Sequence, residues 1–293
     1  MKILLFGSGG QLGQALTKAL NHLHKIHLSH RDICDLTKTS QIQNLIDHTK
    51  PDLILNAAAY NDVDAAENHY EEAFALNVNA PSVMAKKANE LDIPMIHFST
   101  NYVFDGHKKN GYVENDSIHP ISNYGKTKYL GEESIRALLK KHLIIRTSSL
   151  YGHGGKNFIY KIVDKLKENK PFDVVMDCLS SPTPASFIAE SIVTILPHLK
   201  NETFGTYHLA SLGETSPYNC ASFIEKKLIR IGVIEALDIE RIHPINSSQY
   251  QSISKRPLHT MLDCAKIKNT FMLEFNSWQD ELNCFLDESF LKG

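Results

Sequence analysis

The chain has 293 residues, of which 42% are hydrophobic and 22% charged, and a formal net charge of -2. That length buries a full core in one or two domains. The balanced charge has no basic block and argues against nucleic acid, whose phosphates demand clustered Lys and Arg. Every apolar run is strand-sized, far below the ~20 residues of a membrane span.

The predicted elements alternate. An apolar run, Lys2–Phe6, reads as a strand and meets Gly7 at once, leaving no room for a signal-peptide core. A helix is predicted over Gln11–His22, a strand over Ile26–Ser29, a helix over Thr39–His48 and a strand over Leu53–Asn56. A long helix follows over Glu71–Glu90, then a strand at Pro94–Phe98, a helix at Tyr124–Lys140 and a strand at Leu143–Arg146. This rhythm predicts an α/β protein with a Rossmann-type, doubly wound parallel sheet. Beyond Arg146, prolines punctuate a less regular pattern. We read 1–150 as the dinucleotide-binding domain and 151–293 as a smaller, interleaved C-terminal substrate lobe. Within that lobe about 183–210 returns to the sheet, through a helix at Ala185–Leu196 and a strand at Gly205–Leu209.

Ligands of such sheets bind beyond the carboxyl ends of the strands. The first of these ends carries Gly7-Ser8-Gly9-Gly10-Gln11-Leu12-Gly13, the turn of a dinucleotide-binding βαβ unit. Downstream lie Tyr124 and Lys128, at i and i+4 of one predicted helix and so on one face, about 5–6 Å apart at Cβ. A cationic neighbour lowers a phenol's pKa, which suits a tyrosine for acid–base work near neutral pH. Either motif alone arises often on ordinary turns and solvated helix faces; together and in this order they point to a nicotinamide-dependent oxidoreductase. Small residues at Ala57, Ala58 and Ala59 let the chain lie close to a cofactor, and Thr100 places a hydroxyl at a strand end, suited to polarising a carbonyl.

The second strand ends Leu28-Ser29-His30-Arg31, where an NAD-specific site usually places an acidic residue about 20 residues past the glycine turn. Arg31 can instead pair with a 2′-phosphate as a charged fork. NADPH is therefore expected, with NADH also accepted. The histidines His22, His24, His27 and His30 lack metal-ligand spacing, and no metal is expected. Five widely spaced cysteines without a C-x-x-C pair indicate a reduced, cytoplasmic chain without structural disulfides.

The longer words resemble one family. Gly7-x-x-Gly10-Gln11-Leu12-Gly13, the run Pro51 to Tyr60 with Val63-Asp64 and Ala66-Glu67, and Phe98-Ser99-Thr100-Asn101-Tyr102-Val103-Phe104-Asp105-Gly106 occur in order. Tyr124-Gly125-Lys126-Thr127-Lys128 with Gly131-Glu132, then Arg146-Thr147-Ser148, Tyr151-Gly152, Asn157-Phe158, Asp177, Pro182-Thr183, Tyr207-His208-Leu209 and Arg256-Pro257 continue them. These resemble the extended short-chain dehydrogenase/reductases, and within them the dTDP-4-dehydrorhamnose reductases. The resemblance implies NAD(P)H-dependent reduction of the C4 ketone of a nucleotide-linked 6-deoxysugar, with dTDP-4-dehydro-L-rhamnose the leading substrate. It implies a catalytic set of Thr100, Tyr124 and Lys128, with Lys128 also on the nicotinamide ribose. It places Gly7, Gly10, Gln11, Leu12, Ala57 to Ala59, Tyr60 and Tyr124 on the cofactor, and Asp35 and Leu36 along the adenine. Thr100, Asn101, Tyr102, Tyr124, Ser149, Asn157 and Arg256 fall on the substrate side.

Several positions depart from that family's pattern. Asn101 replaces a usual Asp, Ser149 a Trp, Cys178 a Gln, Ser180 a Gly and Pro217 another Trp. None removes the Thr–Tyr–Lys set, but those near the sugar side leave its identity open. A reductase or epimerase for another nucleotide sugar is one alternative. A non-catalytic binding subunit, like the regulatory β subunit of methionine adenosyltransferase, is another. A homodimer is left open.

Overall fold

The computed structural model describes residues 1–236 and 241–291; the expected substrate lobe thus includes both stretches that lie outside the described residues. The chain opens β1 (Lys2–Phe6), α1 (Gln11–Leu20), β2 (Lys25–Ser29), α2 (Thr39–Thr49) and β3 (Leu53–Asn56). Short helices α3 (Ala65–Asn68) and α4 (Tyr70–Phe74) lead to α5 (Ala80–Glu90), β4 (Met95–Thr100), α6 (Asn123–Leu138) and β5 (His142–Thr147). Then come β6 (Leu150–Tyr151), α7 (Phe158–Lys167), β7 (Phe172–Val175), β8 (Thr183–Pro184), α8 (Ala185–Ile195) and β9 (Gly205–His208). The rest is α9 (Pro217–Arg230), β10 (Ile242–Ile245), α10 (Ala265–Phe271) and α11 (Trp278–Phe290).

Six strands form one parallel sheet in the order β2-β1-β3-β4-β5-β9. The order reverses between β1 and β3, the topological switch point at which such sheets open a crevice for ligands. The alternation of side chains along each strand explains the continuous apolar runs. Ile3, Leu5, Leu53, Leu55, Ile96 and Leu143 face α1 and α8, whose Leu12, Leu16, Ile188 and Ile192 complete one core. Leu4, Phe6, Ile54, Met95 and Ile144 face α2, α5 and α6, with Ile42, Ile46, Met84 and Ile135. The returning strand pairs β9 with β5, in register Ile145 to Tyr207. A separate core joins α7, α9 and α11 through Ile162, Leu166, Ile224, Leu228, Leu282 and Leu286, beside the β7–β10 pair.

One expected element differs. The helix read over Glu71–Glu90 runs through but is not uniform: a π-type turn, Ala75–Asn79, lies between α4 and α5. Such turns insert one extra residue into the helical ladder and often sit at functional sites. Here the widened turn carries Asn77 into the interior. Its Oδ1 accepts from Tyr60 N at 2.8 Å, and its Nδ2 donates to Tyr60 O at 3.1 Å and to Thr127 Oγ1 at 3.0 Å. Gly131 of α6 makes room, because a Cβ there would lie 2.0 Å from Asn77 O. A polar residue at helical spacing reads as solvated in sequence; its burial is set by the helix packed against it.

Candidate active site

Gly7 ends β1 at φ 80°, and a Cβ on it would stand 2.6 Å from Ala58 N. The glycine turn therefore lies directly against the end of β3, with Ala57 to Ala59 beside it. Ser29, the last residue of β2, pins the turn: its carbonyl accepts from Gly7 N and Ser8 N at 3.0 and 3.1 Å. Gly10 occupies the N-cap of α1, so no side chain closes that helix end, and its first amides suit a pyrophosphate. Gln11 faces the C-terminal lobe, donating to Lys156 O and accepting from Asn157 Nδ2. At the end of β2, Arg31 is exposed. Asp35 is held in a turn, its carboxylate accepting from Thr37 N and Oγ1 at 3.0 and 2.7 Å. These bonds, the Thr37 hydroxyl first, hold its carboxyl below the usual range. Leu36 packs against the α2 side of the core.

Thr100 ends β4 two strands away. Its hydroxyl accepts from Tyr102 N at 3.2 Å and donates to Asn101 Oδ1 at 3.2 Å. Ser122 caps α6 through Gly125 N at 3.1 Å, which fixes Tyr124 in the first turn of that helix. The Tyr102 and Tyr124 rings meet edge to face with centroids 5.7 Å apart. Burial pushes the Tyr124 phenol up to about 12, against a downward pull from a hydrogen bond with Thr100. This corrects the expectation that Lys128 lowers it. One turn on, Lys128 points Nζ back at β4, donating to Phe98 O at 2.7 Å and lying 3.3 Å from His97 Nε2. Burial brings Lys128 down to about 8, partly offset by Glu132. The pair shares a helix face as spacing dictates, but desolvation is the largest influence on each.

On the substrate side the outcomes divide. Tyr102 and Arg256 come together, and Arg256 also donates to Asp64 Oδ2 at 2.9 Å. Asp64 in turn accepts from Ser252 Oγ and Ser254 N, tying the segment before Arg256 to the loop after β3. Asn101, expected on the substrate side, is buried with its amide bonded within the protein. Its Nδ2 donates to Ser148 Oγ at 3.0 Å and to Thr260 Oγ1 at 2.8 Å. Thr260 Oγ1 already donates its proton to Leu179 O, so it needs a donor opposite. A carboxylate has none to give; the amide answers that need. Asn157 is likewise engaged within the protein: it caps α7 at Tyr160 N and donates to Gln11 and Gly152 O. It joins the lobe to the glycine turn. Ser149 is exposed at φ 42°, and its Oγ lies 2.7 Å from Ser180 Oγ, so two of the departing positions pair with each other.

Sequence reasoning gave no role to Asn56, Asn77, His97 or the Glu132–Arg146 pair. A signal was present for two of them: Asn56 and His97 are polar residues inside runs otherwise fit for a buried strand, and buried polar groups require partners. Among the described residues no group of three or more His, Cys, Asp or Glu side chains is placed to hold a metal ion, and no helix is long and apolar enough to cross a membrane.

The family model described as the RmlD substrate binding domain matches residues 1–290. A dTDP-4-dehydrorhamnose reductase from Aggregatibacter actinomycetemcomitans is 33% identical over 286 residues, 96% of this chain and 97% of that protein. The chain belongs to the dTDP-4-dehydrorhamnose reductase family. Within that family, the crystal structure of the Clostridium acetobutylicum reductase superposes with a TM-score of 0.90 at 28% identity, covering 99% of both chains. The Bacillus anthracis reductase, solved in complex with NADP, gives 0.89 at 28% identity and covers 98% of this chain and 99% of its own. The family's fold is thus present over nearly the whole chain.

Proposed function

We propose that this chain reduces the C4 ketone of dTDP-4-dehydro-L-rhamnose with NADPH, yielding dTDP-L-rhamnose. The observation that carries the reading is the meeting of Thr100 and Tyr124 at the carboxyl edge of the sheet, on the crevice that the glycine turn opens. The close approach of Gly7 to Ala58 and the open first turn of α1 fit a dinucleotide. When bound, the nicotinamide supplies the hydride that reaches the keto carbon. Tyr124 Oη holds the proton that passes to the ketone oxygen, so the C=O becomes an alcohol. Thr100, turning its hydroxyl proton away from Asn101 Oδ1, donates a hydrogen bond to that oxygen as its charge grows. Lys128 orients the ribose, Asn77 fixes the Tyr60 backbone, and Tyr102 together with Arg256 of the C-terminal lobe holds the nucleotide sugar.

The direct test is NADPH oxidation by the purified chain against a panel of nucleotide ketosugars. Turnover of dTDP-4-dehydro-L-rhamnose is expected, with looser discrimination among sugars than in a member carrying Trp at position 149. The exposed Ser149 leaves open a space that an aromatic face would fill with roughly 150–250 Å² of contact. No turnover of any ketosugar would overturn the assignment, and tight use of one sugar alone would overturn the looser pocket.

Cofactor preference rests on Arg31. Hydrogen bonds to a charged group contribute about 1.5–3 kcal/mol, or tenfold and more in affinity. Arg31→Ala is therefore expected to lower the ratio of kcat/KM for NADPH over NADH about tenfold or more, by raising the KM for NADPH. An unchanged ratio would remove Arg31 from the 2′-phosphate.

A further inference from the structure

Behind the proposed catalytic residues runs a buried polar chain whose direction is set by the backbone. Ala58 N donates to Asn56 Oδ1 at 3.1 Å; Asn56 Nδ2 lies 3.0 Å from His97 Nδ1; His97 Nε2 lies 3.3 Å from Lys128 Nζ; and Lys128 Nζ donates to Phe98 O at 2.7 Å. Asn56, His97 and Lys128 are each 1% exposed, so water does not compete for these contacts. A backbone N–H can only donate. The Asn56 oxygen must therefore face Ala58, and its NH2 must face His97. Nδ1 of His97 is then a lone pair, and a neutral imidazole carries its single proton on Nε2. That N–H is aimed at Lys128 Nζ. An ammonium has no lone pair to receive it, whereas an amine has one.

We propose that Asn56 and His97 are positioning residues that bias Lys128 toward its uncharged amine, with the lone pair of Nζ directed at His97 Nε2–H. Protonating Lys128 sets N–H against N–H at this contact, so the ammonium form is disfavoured beyond the effect of burial alone. A charged His97 does not relieve the conflict, since burial and then the Lys128 charge hold its imidazole far below its ordinary range. Other groups around Nζ are Glu132 on the same helix, which pulls toward the ammonium but is shared with Arg146 of β5, and Tyr124 one turn back. The lowered value at Lys128 agrees in direction with the geometry. A lysine so poised gains and loses its proton close to working pH. Because the chain begins at Ala58 N, against which the glycine turn packs, its poise is coupled to the floor of the dinucleotide crevice.

The inference rests on the reading of Lys128 as a site residue, but its first test needs no activity. In the full chain labelled with 15N-histidine, long-range 1H–15N spectra report each imidazole's tautomer. His97, assigned by the signals lost in His97→Gln and by those that change in Asn56→Asp, is expected as the Nε2–H form. An Nδ1–H form would overturn the proposal whatever the enzyme does. Asn56→Asp replaces the donor facing Nδ1 with a carboxylate, so the tautomer is expected to switch to Nδ1–H and the Nε2 lone pair to receive a proton from a Lys128 ammonium. The kinetic consequence is a shift of the Lys128 limb in the pH profile of kcat/KM to higher pH by about a unit, a tenfold change in proton concentration. The same substitution in a His97→Leu background is expected to lose most of that shift, since the relay is then cut. A limb that stays in place in Asn56→Asp, or one that moves equally with and without His97, would overturn the role of His97. Loss of rate uniform across pH would count against it in the same way.

Discussion

Tyr124→Phe is expected to lower turnover by roughly 10²–10⁴, the range a positioned general acid contributes, while cofactor affinity stays within a few-fold of wild type. The phenol hydrogen-bonds Thr100, and its ring meets that of Tyr102 edge to face. Held at about 12 by burial, it stays protonated through the neutral range and has a proton to give. Phenylalanine keeps the ring and its edge-to-face contact with Tyr102 and removes only that proton. The dinucleotide crevice is built from the glycine turn, the end of β3 and Lys128, none of which the substitution touches. Single-turnover rates with a nucleotide ketosugar, beside NADPH titrations of the same variant, separate the two effects. Near-wild-type turnover would take Tyr124 out of the mechanism; equal losses of binding and turnover would mean that the ring's packing, not its hydroxyl, had been disturbed.

The second large effect is on stability. Glu132→Leu is expected to cost about 3–5 kcal/mol, the range for stranding one partner of a buried ion pair. Glu132 is fully buried between α6, β4 and β5. Its carboxylate receives Arg146 Nε at 3.0 Å and Arg146 Nη2 at 2.7 Å, Ser99 Oγ at 2.5 Å, and Arg136 Nη1 at 3.2 Å. Arg146 itself is 1% exposed, with its guanidinium 5.3 Å from the Phe104 ring centre and Nη1 3.4 Å from His208 Nε2. Burial and then the Arg146 charge take His208 to about 3, so it is a neutral acceptor and cannot replace the carboxylate. A lower urea midpoint with an unchanged slope would report the loss. Replacing both partners, Glu132→Leu with Arg146→Met, should recover much of it, because an apolar pair leaves no charge stranded. The pH dependence follows in sign. Burial alone would raise the Glu132 carboxyl, but the Arg146 hydrogen bonds and charge outweigh it and leave the folded value depressed. Its stabilising share is therefore complete above the unfolded value of about 4.3 and is lost as pH falls through the lower folded value. The gap between wild type and Glu132→Leu should be widest near pH 7 and should narrow in acid. A gap that is constant with pH would mean that the carboxylate's charge is not what the variant loses.

The sequence by itself determined the alternation of strands and helices, because strands buried on both faces must be apolar throughout and helices on a sheet must repeat their apolar residues every turn. It determined the glycine turn, since the close contact of Gly7 with Ala58 admits no side chain, and it determined that Tyr124 and Lys128 share a face, since i and i+4 spacing is local geometry. The family resemblance was legible for the same reason: its words lie at strand ends, where contiguous residues meet a ligand. What only the tertiary structure decided was the environment of each polar group. Asn101 and Asn157 resembled substrate contacts by position, yet their amides answer donors and acceptors contributed by residues far away in the chain, Thr260 for the first and Gln11 for the second. The π-type turn at Asn77 exists because α6 and the Tyr60 backbone demand its side chain, a demand no window around residue 77 contains. The phenol of Tyr124 and the amine of Lys128 shift according to burial, and burial is a property of packing. Spacing along a helix brings two groups to one face; the strand behind them decides which way Lys128 points and which proton it can hold.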